Sequence, residues 1–139
     1  MTIYHVIDVY GTSLNTDFQA LAARNGITVA HVIPLQTSGS SMSIEADLRT
    51  KMQVLDPKFD KIFIMFGFVA DAGRVFRIAN EKGLVSSKHQ YLATDGIMQA
   101  GLLDAIATSE FSGANLTETQ QVERARRVKL ATGLCRLFL

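Results

Sequence analysis

The sequence predicts an α/β protein, with three α/β/α layers around an open parallel sheet in strand order 2-1-3-4. Three observations carry that prediction. Short apolar runs at 3–9, 27–33, 61–66 and 91–94 alternate with helical patterns along the chain. The third run, KIFIMF, is almost wholly apolar, as suits a parallel strand covered on both faces. Strand–helix–strand alternation at this spacing also implies right-handed crossovers.

The first run, IYHVIDV, begins at once and is rich in β-branched and aromatic residues. The helix expected next, TSLNTDFQALAARNG, places Leu14, Phe18, Leu21 and Ala22 on one face. Thr12 or Ser13 is the expected cap, and Gly26 the left-handed terminator. After the strand ITVAHVI and a polar loop, QTSGSSMS (36–43), a second helix aligns Ile44, Leu48, Met52 and Leu55 and stops at Asp56-Pro57. The third helix, ADAGRVFRIANEKG, turns Ala72, Val75, Phe76 and Ala79 inward and ends at Gly83. YLAT is the fourth strand. Beyond it, GLLDAIATSEF reads as a short helix, SGAN as a break, and LTETQQVERARRVKLATGL as a helix with Val122, Ala125 and Val128 on one side. The expected organisation is an α/β lobe over 1–112 and a helical tail over 113–139. The tail's basic residues, Arg124, Arg126, Arg127 and Lys129, read as a solvated face.

With 139 residues the chain has room for one domain with a real core. Its net charge of +1 gives no bulk attraction for nucleic acid. The single cysteine, Cys135, excludes an internal disulfide. No apolar run reaches the roughly 18–20 residues of a spanning helix, and the first residues lack the pattern of a targeting signal.

The stretch DVYGTSLNTDF joins a strand to a helix, where α/β proteins place their chemistry. As a nucleophile elbow, GTSLN would offer Ser13, but Asn15 stands where a glycine is needed. His5 and His31 lie in strands and His89 precedes the fourth, so no base reaches Ser13. A flavodoxin-like phosphate loop has its hydroxyls in TSLNT, with Leu14 in place of the central glycine. A phosphorylated receiver needs an aspartate after the third strand, where the sequence reads MFGF. His5 and His31 could neighbour one another on adjacent strands, but two histidines make no metal site. No catalytic constellation is present, and the chain is not read as an enzyme; no cofactor is expected.

A wider pattern is more specific. VYG after the first strand, then ARNGI, VAHVIPL, FDKIFIMFGFVADAGRVFRIANEKGL and HQYLATDGIM follow in order over residues 3–98. Together they resemble the second lobe of type I periplasmic-binding-protein-like domains. That superfamily comprises receptor-family ligand-binding regions and amino-acid-binding proteins, and Ile97 stands here where the family has an aromatic residue. The resemblance implies small-ligand recognition by one lobe of an extracellular receptor or solute-binding protein. A clamshell would close on an amino-acid-like ligand, with the first lobe as partner. It places Tyr10, Gly11, Gly67, Phe68 and Asp95 at the ligand edge, with Tyr10 and Asp95 on the ligand's amino group. Phe68, where some relatives carry a polar or acidic residue, shifts the expected ligand towards the apolar. The anion-binding lobe is not in this sequence, so the chain looks like one lobe of a longer, membrane-associated protein on an extracellular or periplasmic face. The alternatives are a flavin-binding electron carrier and a ligand-free module that forms a homodimer.

Overall fold

The computed structural model describes residues 1–94 together with Ile97. The elements run β1 (Thr2–Val6), α1 (Val9–Arg24), β2 (His31–Leu35), α2 (Ser41–Lys51), a 3-10 turn (Met52–Val54), β3 (Ile62–Phe66), α3 (Val69–Glu81) and β4 (Gln90–Ala93). The strands form one parallel sheet in the order β2-β1-β3-β4. The fold class and topology are those expected. The segments 98–112 and 113–139, with the helices expected there, lie outside the described residues, as does Asp95.

Alternation along each strand divides the core in two. Tyr4, Val6, Ile33, Leu35, Phe63, Met65 and Tyr91 face α2 and α3, where they meet Leu48, Met52, Val75 and Phe76. Ile3, Ile64 and Phe66 face the other way, against Leu14 and Phe18 of α1. Each inward residue expected on α2 and α3 is buried: Ile44, Leu48, Met52 and Leu55, then Ala72, Val75, Phe76 and Ala79. Gly26 and Gly83 take the left-handed conformation after their helices, with φ of 67° and 71°.

Five expectations need correction. The helix α1 starts at Val9 rather than after Thr12 or Ser13; its cap is Asp8, whose carboxylate accepts the Gly11 N–H at 2.7 Å. The strand β1 therefore ends at Val6, and Ile7 and Asp8 form the turn into α1. Leu21 is 56% exposed, because the buried stripe of α1 runs through Gly11, Asn15 and Ala22. The strand β2 covers 31–35, not 27–33, and tolerates Pro34 because it is an edge strand. Register also separates the histidines: His31 lies opposite Thr2, and His5 opposite Pro34.

A buried ion pair joins the two helices on the larger face. Arg77 of α3 donates to Glu45 of α2, and both are within the core. Arg49 extends the link, donating to Glu45 at 3.3 Å and to Glu81 at 2.9 Å. Pairing of this kind is what makes a buried charge tolerable.

Candidate functional site at the carboxyl edge

All strands are parallel, so every strand-to-helix turn falls on one edge of the sheet. The turn after β1 carries Asp8 and Tyr10; the turn after β3 carries Gly67 and Phe68. Since β1 and β3 are neighbours, the two turns lie side by side.

Tyr10 sits in the first turn of α1. Its height above the sheet is set by Gly11, which presses on the end of β1. A Cβ on Gly11 would lie 2.4 Å from the Val6 carbonyl oxygen and 2.6 Å from its Cγ2. Gly67 is similarly close, with a built Cβ 3.1 Å from Val6 Cγ1. Both glycines are buried; Gly11 lets the backbone of α1 approach that of β1, whereas Gly67 leaves room for the Val6 and Asp71 side chains. Phe68 precedes α3, and its N–H donates to Asp71 Oδ2 at 3.3 Å. The rings of Tyr10 and Phe68 stack, with centroids 5.6 Å apart and planes 26° apart. Tyr10 is 39% and Phe68 47% exposed. Ile7 (53%) and Val9 (85%), on either side of Asp8 and just before Tyr10 in sequence, are also exposed.

The same edge also carries charge. Asp8 keeps one carboxylate oxygen on the Gly11 N–H. Asp71 is buried and accepts from Arg74 Nη1 at 3.3 Å as well as from Phe68. Burial raises the Asp71 carboxyl above its ordinary range; the Phe68 N–H and Arg74 oppose this, and the nearby Asp8 charge adds to it. Arg74 also lines a notch with Leu35, Gln36, Ile44, Asp47, Leu48 and Asp71, whose free volume is about 10 Å³.

Tyr10, Gly11, Gly67 and Phe68 are thus brought together, whereas Asp95 lies outside the described residues. Asp8, Asp71 and Arg74 were not singled out in the sequence. Their signal was there: an Asp three residues ahead of a glycine at a helix start, and an Asp–Arg pair at i, i+3 after the third strand. His89 lies away from the site, with Nε2 3.2 Å from the Pro57 carbonyl and Nδ1 2.8 Å from Ser86 Oγ. His31 approaches Asp60 at 3.8 Å, and among the described residues no group of three His, Cys, Asp or Glu side chains could hold a metal. No described helix is long and apolar enough to cross a membrane. The chain matches no protein-family model and no curated protein.

Proposed function

We propose that this domain recognises a small, cationic-headed, amino-acid-like ligand at the carboxyl edge of its sheet, as one lobe of an extracellular receptor or solute-binding protein. The observation that carries the proposal is the exposed Tyr10–Phe68 stack, with the Asp8 carboxylate capping the same helical turn that carries Tyr10. Aromatic faces and a carboxylate together attract an ammonium group through cation–π and charge-assisted hydrogen bonding. An open edge buries only part of a ligand, so affinity for the lone lobe is set at roughly millimolar. Asp95, by resemblance, joins Tyr10 at the ammonium.

The test is a titration of backbone amide resonances with butylammonium chloride, with 1-butanol as the uncharged control. Shifts at Asp8, Tyr10 and Phe68 are expected with the amine alone, and are expected to weaken in Tyr10→Ala, Asp8→Asn and Asp95→Ala. Equal shifts with butanol, or shifts elsewhere only, would refute the site. The exposed Ile7 and Val9 favour a second reading, in which the edge meets another lobe or a second copy of the chain. Sedimentation of wild type against Val9→Lys separates the two, because only a protein contact makes the mass depend on that side chain.

A further inference from the structure

A larger space than the notch at Arg74 opens at the other edge of the sheet, where the strands begin. Its free volume is about 290 Å³, close to the lower end of the roughly 300–1,000 Å³ of small-molecule sites. Met1, Ala30 and Lys61 stand just before β1, β2 and β3, so the cavity lies at the amino ends of three neighbouring strands. The ligand site proposed above is at their carboxyl ends, and the length of the strands separates the two.

The wall of the cavity is part apolar and part polar. Met1, Ala30, Ile62 and the Phe59 ring form the first part, and His31 and Asp60 the second. Phe59 is 73% exposed, yet its backbone is fixed. Its N–H and that of Asp60 both donate to the Asp56 carbonyl, at 3.0 and 2.8 Å. The next carbonyl, of Pro57, accepts from Lys61 Nζ and lies 3.2 Å from His89 Nε2. An exposed ring on a braced turn offers a flat face for stacking at little entropic cost.

The polar part has a definite chemistry. The Asp60 side chain is only 10% exposed. Its Oδ1 accepts from Thr2 Oγ1 at 3.2 Å and its Oδ2 from the Asp56 N–H at 2.9 Å, which leaves a lone pair on each oxygen. His31 Nε2 lies 3.8 Å from Oδ1, too far for the two to bond each other. With the proton on Nε2 they stand side by side as a donor and an acceptor. The cations around them already have protein partners. The Met1 ammonium donates to the Thr28 carbonyl at 3.0 Å, Lys61 to Pro57, and Lys58 Nζ lies 5.2 Å from the centre of the Phe59 ring. A further cation would be repelled by these three, and an anion by Asp60. The ligand that fits is neutral and flat, with an N–H beside a carbonyl oxygen.

We infer that this cavity binds a neutral cyclic amide of the nucleobase type, its N–H on Asp60, its carbonyl oxygen on His31 and its ring against Phe59. The inference does not depend on the reading of the carboxyl edge, which stands or falls by its own titration.

The test titrates uracil into the full chain and follows backbone amide resonances, with N,N′-dimethyluracil as the same ring without N–H donors. Shifts at Ala30, His31, Phe59, Asp60 and Ile62 are expected. Uracil should bind about tenfold tighter than the dimethyl form, as one hydrogen bond to a carboxylate implies. A merely apolar cavity would reverse that order. Phe59→Ala, at an exposed position, should weaken both probes about tenfold through the lost stacking. Asp60→Asn keeps the shape of the side chain and should lower the ratio between the probes; a loosened turn does not imitate this, because both are read on one protein. Tighter binding of uridine monophosphate than of uracil would identify a nucleotide as the source of the ring, and the reverse a free base. Equal or stronger binding of the dimethyl form, shifts at the carboxyl edge only, or no shifts with uracil would overturn the inference.

Discussion

Substituting Gly11 by alanine sets two effects of opposite sign against each other, and the structure decides between them. Inside a helix, alanine is favoured over glycine by about 1 kcal/mol. At an exposed position of α1 that gain would be realised. At Gly11 the new Cβ would meet three atoms of Val6 at 2.4, 2.6 and 2.9 Å, all closer than such a carbon is tolerated. Two of the three are backbone atoms of β1 and cannot rotate away. Relief requires the first turn of α1 to lift from the sheet, which strains the Asp8 cap and opens the packing of Leu14 and Phe18 on Ile64 and Phe66. Overpacking of this kind costs about 1–3 kcal/mol, and rigid backbone on one side places Gly11→Ala towards the upper end. Net destabilisation of about 2 kcal/mol is expected after the propensity gain. The measurement is urea unfolding followed by far-ultraviolet circular dichroism, with Ser13→Ala on the exposed side of the same helix as control. The control is expected to be neutral or slightly stabilising. A Gly11→Ala protein as stable as the control would show that the close approach of α1 to β1 is not what Gly11 provides.

Replacing Arg77 by methionine leaves Glu45 buried with, among the described residues, Arg49 as its remaining cation, and is expected to cost about 3 kcal/mol; the double variant Glu45→Leu/Arg77→Met should recover most of it in the same unfolding assay. Asp71 sets a pH dependence. Because burial raises its folded pKa above the ordinary 3.8, the stability linked to its protonated form is full below that value and is lost as pH rises through the folded pKa. Unfolding midpoints measured from about pH 4 to 7 should therefore fall less in Asp71→Asn than in the wild type; parallel profiles would refute this. Phe18→Ala removes the ring packed 5.8 Å from Phe66 and should cost about 2 kcal/mol, less than for a fully buried ring. Leu21→Ala, on the exposed side, should stay within roughly 0.5 kcal/mol.

What the sequence revealed depended on whether the information was periodic. The α3 stripe of Ala72, Val75, Phe76 and Ala79 is fully buried, because helical spacing alone places those residues on one face. The β3 run could be read from composition, since a central parallel strand needs apolar residues on both faces. Boundaries were harder. Asp8 ends a run of β-branched residues, so its capping role was hidden inside an apparent strand. It became visible only once the Gly11 N–H was seen to need an acceptor. The β2 shift has a similar origin. Residues 27–30 have strand-like composition, but pairing with β1 begins at Thr2 opposite His31. The stripe of α1 was misplaced at Leu21 because a glycine carries no hydrophobic signal, and yet Gly11 defines the closest line of contact. The Glu45–Arg77 pair spans 32 positions, beyond any local pattern. At the site, the aromatic positions were legible and the charged residues of the same two turns were not. Asp71 and Arg74 look like an ordinary helix pair until the fold sets Phe68 on one and a notch beside the other.

The means by which the two rings are held bears on what the edge can do. Tyr10 is carried by a helical turn that is capped by Asp8 and pinned to β1 through Gly11. Phe68 is carried by a second turn, fixed through its own N–H to a buried carboxylate. Neither ring depends on a long loop, and each has its backbone set by the start of a helix. Their stacking restrains the remaining side-chain freedom. A ligand of the kind proposed would order little there that is not already ordered, so the entropic penalty of its recognition would be reduced. Exposed aromatic rings also contribute less to folding than buried ones, since much of their surface stays in water. Rigid placement combined with incomplete burial is the combination expected where a surface is shaped for contact with something other than its own core.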